Sequence, residues 1–408
     1  MSPRNNPWAF SVLTLCWVTA LMETDIYVPC FPDMVIYFGI TEAQVQNIIS
    51  FNFLGFCLAC LAYGPLSDSW GRKNILMFGN TIFALAGIGC VLTDSFTTLC
   101  AWRFIQGIGA ATVFSVGAAA FFDIYDEMEA AKKIGIINFL IAGVMAGAPL
   151  VGTWMNSTWG WYSTFLLIAI QSVTCVLALA FLFKESLPIE KRKPLSLSGA
   201  FKDYFTLMTS SKYMFNTIAA CILISCLVAY TASLSLIFIN YLGISTAAYG
   251  FYQGAVLVAF AIASLLTGRV IEKFGIRKVC TFSTLYTPIG LGILYAISVY
   301  WPDAALAFTI VMAITTAIYS VSMGAFAPIV MSTFPEIRGA AGSLMSALRM
   351  LLTSGFVGIC AWRFDGTMQS LAQTLLIGTI IGAVLYFYAY WQESGASAEE
   401  KADAKEVA

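Results

Sequence analysis

Twelve apolar runs, separated by short polar or charged stretches, restrict what this chain can fold into. A helix needs about 20 apolar residues to cross the hydrocarbon core of a bilayer. Hydrophobic residues make up 59% of the 408 residues and charged residues only 11%, whereas soluble domains carry about 25% charged residues. The pattern therefore predicts an all-α membrane protein with twelve transmembrane helices. The runs cover 8–37, 44–63, 74–93, 99–122, 134–155, 160–183, 213–237, 247–270, 278–300, 304–331, 340–362 and 370–391.

The longest polar stretch between two runs divides the chain into two sets of six. We expect an N-terminal six-helix half over 1–183, a cytoplasmic linker over 184–212, a C-terminal half over 213–391, and a disordered cytoplasmic tail over 392–408. The stretches 64–73 and 268–278 echo each other: each has a glycine, an acid four residues later, a second glycine and then basic residues. Internal repeats of this kind indicate pseudo-symmetric halves with a binding site between them.

The positions of the basic residues predict the orientation. With a cytoplasmic N-terminus, all but three of the 21 Lys and Arg residues fall in cytoplasmic segments, the exceptions being Arg103, Arg349 and Arg363. The positive-inside rule therefore places both termini in the cytoplasm. The first run is too long for the apolar core of a signal peptide, so we expect an uncleaved first helix.

The composition also limits which side chains can bind protons, form disulfides or contact nucleic acid. The chain has no histidine, so proton chemistry falls to carboxylates. Its eleven cysteines lie in or beside apolar runs and are interpreted as small hydrophobic residues rather than as a disulfide framework. No stripe of Lys and Arg and no Cys/His cluster favours nucleic-acid binding.

Two acids, Glu23 and Asp25, lie in the first apolar run. An ionisable side chain inside the bilayer is costly unless it is paired or neutralised, which makes both acids functional candidates. Desolvation favours the protonated form of a carboxylate, although Asp25 could instead make a structural hydrogen bond between helices. The two residues differ by about 200° around an ideal helix, so they face one cavity only if the helix is distorted, for which Pro29 is a candidate.

Four short motifs stand in or between the apolar runs: 64–73; 22–29, which reads Met-Glu-Thr-Asp-Ile-Tyr-Val-Pro; an R-x-x-Q-G pattern that begins at Arg103; and 143–152. Together they resemble the motifs of the major facilitator superfamily, in particular its drug:proton antiporter branch with twelve spans (Bcr/CflA and MdfA-like multidrug transporters). The resemblance covers about residues 8–391. It departs at Phe122, where Bcr-like members have arginine, and at Ala148, where the fuller motif has glycine.

The resemblance implies roles for three charged residues. Asp25 matches the acid that is protonated and released during transport. Arg103 is expected to face the central cavity and tune the acids of the first helix, the alternative being a snorkelling side chain at the end of its span. Glu23 has no counterpart in the Bcr-like pattern, and a second coupling acid at this position stays an open alternative.

The resemblance also assigns a conformational role to the stretch 64–73. Gly64 and Gly71 are expected to permit a tight turn and close helix contact. Asp68 could cap a neighbouring helix or pair with a base of the other half, such as Arg269, and Arg72 would hold the loop at the cytoplasmic face. In the fifth helix, small residues and a proline are expected to allow close packing and a bend, and the residues concerned are Gly147 and Pro149.

Arg349 lies near the middle of the eleventh run. It could pair with an acid of the first helix, or it could receive an anionic group of the substrate, and we keep both alternatives. The residues expected to line the central cavity are Tyr27, Arg103, Met145, Tyr230, Tyr249, Gln253, Phe326 and Arg349.

The function that the resemblance implies is a proton-coupled secondary transporter in the inner membrane of a bacterium, exporting small drug-like molecules or metabolites by alternating access. Such a protein is not an enzyme, needs no metal or cofactor beyond the proton gradient, and contacts substrate, protons and lipid but no nucleic acid; we expect a monomer. Three alternatives stay open: an exporter of an anionic or zwitterionic natural product such as a siderophore or amino acid derivative, a proton-coupled metabolite importer, and a non-transporting membrane receptor.

Overall fold

The structure is a computed structural model that describes the backbone of residues 6–125, 127–192, 194–334 and 337–406. Within these ranges every element is a helix or a helical turn. The side chains outside the description are those of residues 118, 122, 127–132, 134–135, 138–139, 141–142, 145–146, 191, 197, 322, 324, 327–328, 331–332, 338–339 and 393–406.

The described chain folds into a succession of helices joined by short turns. In chain order they are α1 Ala9–Asp25, α2 Phe31–Phe38, α3 Glu42–Val45, α4 Asn47–Trp70, α5 Arg72–Val91, α6 Phe96–Thr112, α7 Ala118–Ile124, α8 Glu127–Trp159, α9 Tyr162–Phe181, α10 Leu197–Thr209, α11 Ser211–Ser235, α12 Thr246–Phe274, α13 Ile276–Tyr300, α14 Ala305–Ser332, α15 Arg338–Trp362 and α16 Met368–Glu406.

The apolar runs of the sequence fall on these helices because a helix satisfies its backbone hydrogen bonds internally, which the bilayer requires. Among the described residues, ten helices are long and apolar enough to cross a membrane. The predicted spans 134–155 and 304–331 lie in α8 and α14, which include side chains outside the description.

The first apolar run is not one continuous helix. After α1 ends at Asp25, a 3-10 turn over Val28–Cys30 leads into α2. The backbone N–H of Cys30 donates to the carbonyl of Tyr27 at 2.9 Å, in place of an α-helical bond. Pro29 explains this break, because proline has no N–H and its ring clashes with the carbonyl four residues earlier, that of Asp25. The helix is therefore distorted at the acid, as expected from Pro29.

The echoing stretches 64–73 and 268–278 form equivalent turns. Gly71 ends α4 with φ of 94°, and Gly275 ends α12 with φ of 83°. Backbone in this region favours glycine, since it has no Cβ to clash. The expectation of a loop turn at Gly64 is wrong: this residue lies inside α4, which continues through Pro65 to Trp70. The turn needs one glycine of positive φ, and Gly71 supplies it.

The predicted linker contains secondary structure that the apolar runs do not reveal. A 3-10 turn covers Ile189–Lys191, and α10 follows with exposed Phe201 and Phe205. At the other end, the backbone of α16 is helical to Glu406, which differs from the disordered tail predicted over 392–408. The stretch is rich in Ala, Glu and Lys, which have high helix propensity. The division of the chain into halves stays a prediction.

The helices pack in two groups that touch along two seams. The first group contains α4, α5, α6 and α9, which pack on one another, and α1, which packs against α8 and α9. The second group contains α11 to α16. Its most extensive contacts join α12 to α14, α13 to α14, α11 to α15 and α11 to α16. Packing of α4 on α15, and of α8 on α12, joins the groups. The turn after Asp25 contacts α8, α11 and α12, so it touches both groups.

Small residues in α8 do not all serve close packing. A Cβ at Gly152 would overlap the carbonyl oxygen of Ile26, immediately beyond the end of α1. A Cβ at Gly147 would meet no atom within 4 Å. The expectation of close packing through Gly147 is therefore wrong, because the tight approach lies five residues further along α8, at Gly152.

We predict that Gly152→Ala lowers the free energy of unfolding by about 1–3 kcal/mol, because the added methyl group displaces the backbone beside Ile26. Gly147→Ala is the matched control and should be neutral or stabilising by up to about 1 kcal/mol, since alanine is the better helix former. Thermal unfolding of the purified variants in detergent measures both. Equal loss in the two variants would contradict the assigned contact.

Candidate functional site

A buried ion pair joins the first and fourth predicted spans. Arg103 of α6 donates through Nη1 to Oε1 of Glu23 in α1, and each side chain is 1% exposed. Neither charge could be held in this environment alone, because taking an ion out of water costs several kcal/mol. Each member of the pair therefore offsets part of the desolvation cost of the other inside the helix bundle.

The guanidinium group of Arg103 is held by further neighbours. Nη1 also donates to Oε1 of Gln106 at 2.6 Å, and Nη2 donates to the hydroxyl of Tyr27 at 2.8 Å. Its Cζ lies 4.5 Å from the centroid of the Tyr27 ring, which stacks on Phe165 at 5.3 Å. This burial excludes the snorkelling alternative for Arg103.

Asn52 of α4 ties the ion pair to a third helix. Its Nδ2 donates to Oε1 of Glu23 at 2.9 Å and to the backbone carbonyl of Arg103 at 3.1 Å. The predicted site did not include Asn52 or Gln106. The sequence does contain an indication for Asn52, because this amide lies within the apolar run 44–63, where a buried polar side chain needs a partner.

Asp25 has a different environment from Glu23. It is half-buried, and its Oδ2 accepts a hydrogen bond from Oγ1 of Thr24 at 3.3 Å. Within the described part of the chain, no basic side chain pairs with it. The two acids thus differ in their partners as well as in the side of the helix on which they lie. Among the described residues, Glu23 has a counter-charge and Asp25 has none.

One predicted cavity residue of the second helix group, Tyr249, lies near this acid. It is near enough to Asp25 and Tyr230 to interact with them electrostatically. Its hydroxyl donates to Oε1 of Gln253, and the side chains of Tyr249, Tyr230 and Gln253 are all fully buried. Among the described residues, the hydroxyl of Tyr230 and Nε2 of Gln253 have no hydrogen-bond partner.

Arg349 does not pair with either acid of the first helix. Glu23 is taken by Arg103, and Arg349 lies instead near Cys60 and Cys221. Among the described residues, its buried Nε has no hydrogen-bond partner and its guanidinium has no carboxylate within ion-pair distance. Pairing of Arg349 with Glu23 or Asp25 is therefore wrong, and anion binding by Arg349 stays a prediction.

Phe326, another predicted cavity residue, has a packing partner in the second helix group. Phe326 packs edge-to-face on Tyr386 of α16, with ring centroids 5.5 Å apart, which is a packing role between helices. The side chain of Met145 lies outside the described residues. Pro149 is buried within α8, where its place in the helix is consistent with the expected motif.

The glycine turn at the end of α4 carries its own charge network. Arg72 pairs with Asp68 at 2.6 Å and with Asp123 at 3.0 Å, and it donates to Oγ of Ser67. Pairing of Asp68 with Arg269 is therefore wrong, because a basic residue one helical turn away is the closer partner. Arg72 is itself largely buried, so it links α5 to α7 rather than pointing from a loop into solvent.

Chemically, this arrangement offers a proton-binding group in Asp25, which is half-buried and has no counter-charge among the described residues. Two residues earlier, the charge of Glu23 is balanced by Arg103. No group of His, Cys, Asp and Glu side chains that could hold a metal ion occurs in the described ranges.

Comparison with known proteins gives one consistent family. The model described as Major Facilitator Superfamily matches residues 13–359. The bicyclomycin resistance protein homolog of Haemophilus influenzae is 22% identical over 95% of this chain and 98% of its own. The multidrug transporter MdfA of Edwardsiella ictaluri is 25% identical over 87% of both chains. A D-xylose-proton symporter structure superposes with a TM-score of 0.76 at 15% identity, covering 95% of this chain and 98% of that one, which shows the shared fold.

We predict that Glu23→Gln and Arg103→Gln each lower the free energy of unfolding by about 3–5 kcal/mol, because each leaves one buried group without its counter-charge. The double variant should cost clearly less than the sum of the two. Unfolding of the purified protein in detergent micelles measures all three.

Arg192→Gln is the matched control for that cycle. It removes an arginine from a partly exposed pair with Glu185, at 3.4 Å, and should cost no more than about 1 kcal/mol. Costs at Glu23 and Arg103 that add to within about 0.5 kcal/mol would show that the two residues are not coupled.

Proposed function

The chain belongs to the major facilitator superfamily, and on that premise we propose that it is a proton-coupled secondary transporter that exports small drug-like molecules or metabolites by alternating access. Members of this superfamily transport molecules across membranes and are not enzymes. The names of two relatives, a bicyclomycin resistance protein homolog and a multidrug transporter, support export of drug-like compounds.

The observation that supports the proposal most is that only one of the two acids in α1 has a basic partner among the described residues. Glu23 has its counter-charge in Arg103, whereas Asp25 has none among the described residues. A carboxyl group at membrane depth without a counter-charge is cheapest in its protonated form, and it becomes an ion only where water or substrate reaches it. We therefore assign proton binding to Asp25 and a fixed electrostatic role to Glu23.

The position of Asp25 supports coupling between proton binding and helix movement. It lies at the end of α1, where the following turn contacts α8 of its own group and α11 and α12 of the other. Gly152 brings α8 against the carbonyl of Ile26, the next residue. Gain or loss of charge at Asp25 thus acts at a point that both helix groups touch, where a change in packing would shift one group against the other.

The proposal includes the finer architecture predicted from the sequence. Twelve spans form two six-helix halves joined by 184–212, with both termini in the cytoplasm and the protein as a monomer in a bacterial inner membrane. The proton gradient is the energy source, and no cofactor takes part. The packing supports this arrangement, since the second span of each half, α4 or α12, meets the fifth span of the other half, α15 or α8.

Arg349 favours a second candidate, an exporter of an anionic or zwitterionic natural product. Its guanidinium is a permanent cation within α15 and has no carboxylate partner among the described residues. A carboxylate on the substrate would satisfy it by a charge-assisted hydrogen bond. This candidate shares the proton site of the first and differs only in the charge of the substrate.

We predict that Asp25→Asn abolishes proton coupling, because the amide cannot take up and release a proton. In everted membrane vesicles with an acidified lumen, an added substrate should collapse the pH gradient with the unaltered protein and leave it unchanged with the variant. A symporter that imports its substrate would not release lumenal protons in this assay.

Asp94→Asn is the matched control, since Asp94 is an exposed acid that interacts with Tyr37 at a helix end. It should retain the response in full. Retained coupling in Asp25→Asn, with normal yield and folding, would refute the assignment of the proton to Asp25.

We predict that Arg349→Gln selectively weakens binding of substrates that carry a carboxylate. Ligands stabilise the proteins that bind them, so a thermal-shift screen with cationic drugs, amino acids and carboxylate siderophores identifies a ligand for the test. The affinity for an anionic ligand should fall about tenfold or more, and that for a neutral or cationic ligand should not change. Arg363→Gln is the control, because Arg363 bonds Gln373 at the end of α15. Unchanged affinity for every anionic ligand would exclude the second candidate.

A further inference from the structure

A surface groove lies between α12, α13 and α14, away from the buried ion pair. It has a volume of about 430 Å³, within the range of about 300–1,000 Å³ typical of ligand sites. Among the described residues, its lining is apolar except for one lysine and one serine, and the residues concerned are Val270, Phe274, Lys278, Val279, Phe282, Ser283, Ile318 and Val321. A ligand that fits this lining must be mostly hydrocarbon.

The groove opens onto the bilayer face of the protein. Phe274 and Phe282, which border it, are 53% and 55% exposed. Further along α13, Leu285 and Ile289 are also exposed, so one face of this helix presents a continuous apolar stripe. In a protein of this fold, an exposed apolar stripe on a long helix contacts lipid, and the molecules available to the groove are those of the bilayer.

One end of the groove is positively charged. Lys278, which lines it, is exposed near the start of α13, and the stretch 269–278 contains four basic residues and one acid. Basic pockets between transmembrane helices bind the head groups of anionic lipids. The charge thus selects for an anionic head group over a neutral one.

A buried donor lies deeper in the same groove. Ser283 is 1% exposed, and its Oγ has no hydrogen-bond partner in the part of the chain that the structure describes. It follows Lys278 by five residues of α13, which is about 7.5 Å along the helix at about 1.5 Å per residue. An unsatisfied buried hydroxyl costs free energy, so a ligand that offers an acceptor at this depth would be favoured. An ester carbonyl below a phosphate is such an acceptor.

We propose that this groove is a binding site for one anionic phospholipid. The phosphate of the head group pairs with Lys278, an ester carbonyl accepts from Ser283, and an acyl chain lies along Phe282 and Ile318. By the proposed orientation, the lipid belongs to the cytoplasmic leaflet. The site is separate from the proton site and does not depend on which substrate is transported.

Native mass spectrometry of the protein purified in mild detergent tests the proposal, with phosphatidylglycerol and phosphatidylcholine added at equal concentration. The unaltered protein should retain one phosphatidylglycerol in preference to phosphatidylcholine. Lys278→Gln should lower this retention about fivefold, the effect of losing one basic contact to the head group. Ile318→Trp, which fills the groove, should abolish retention of the tightly held lipid.

Lys202→Gln is the matched control, since it removes an exposed lysine of α10, outside the groove. It should retain the lipid, and all three variants should unfold at the same temperature as the unaltered protein when no lipid is added. Equal retention of the two phospholipids, equal loss in the two lysine variants, or full retention in Ile318→Trp would each overturn the proposal.

Discussion

The ion pair between Glu23 and Arg103 is the interaction on which the rest of the site depends. Both side chains are 1% exposed, and each would be prohibitively costly in the bundle without the other. Asn52 and Tyr27 complete the arrangement by hydrogen bonds from two further segments, so the pair fixes how α1, α4 and α6 sit against one another. A permanent cation beside the first helix is thereby neutralised within the protein rather than left to attract Asp25.

This neutralisation leaves Asp25 as the acid to which we assign the proton. It is the last residue of α1, two residues beyond Glu23, and the turn that follows it contacts helices of both groups. Tyr249, which comes from the second group, lies near enough to Asp25 to interact with it electrostatically. Arg349 stands apart from this cluster, and its Nε has no hydrogen-bond partner among the described residues. In the second candidate function, an anionic group of the substrate would bind at Arg349, away from the proton on Asp25.

The sequence predicts the helices well and their side-chain partners poorly, for physical reasons. Hydropathy locates the helices because the bilayer imposes a length and a composition on each of them. The glycines at matching places in the two repeated stretches, Gly71 and Gly275, locate equivalent turns because backbone of positive φ favours glycine. The family model confirms the resemblance drawn from the motifs. In contrast, the partner of Glu23 depends on the packing of helices whose paired residues are 80 positions apart, so the sequence leaves both Arg103 and Arg349 as candidates. The contact at Gly152 is equally a property of packing and not of a local pattern.

The central claim is that Asp25 exchanges a proton while Glu23 stays ionised beside Arg103. Infrared difference spectroscopy of the purified protein during a pH titration tests it directly, because a protonated carboxyl group has its own C=O stretching band. We expect one such band from membrane-embedded acids, absent in Asp25→Asn and unchanged in the exposed-acid variant Asp94→Asn. A band that persists in Asp25→Asn and is lost in Glu23→Gln would contradict the account, because the proton would then reside on the acid of the ion pair.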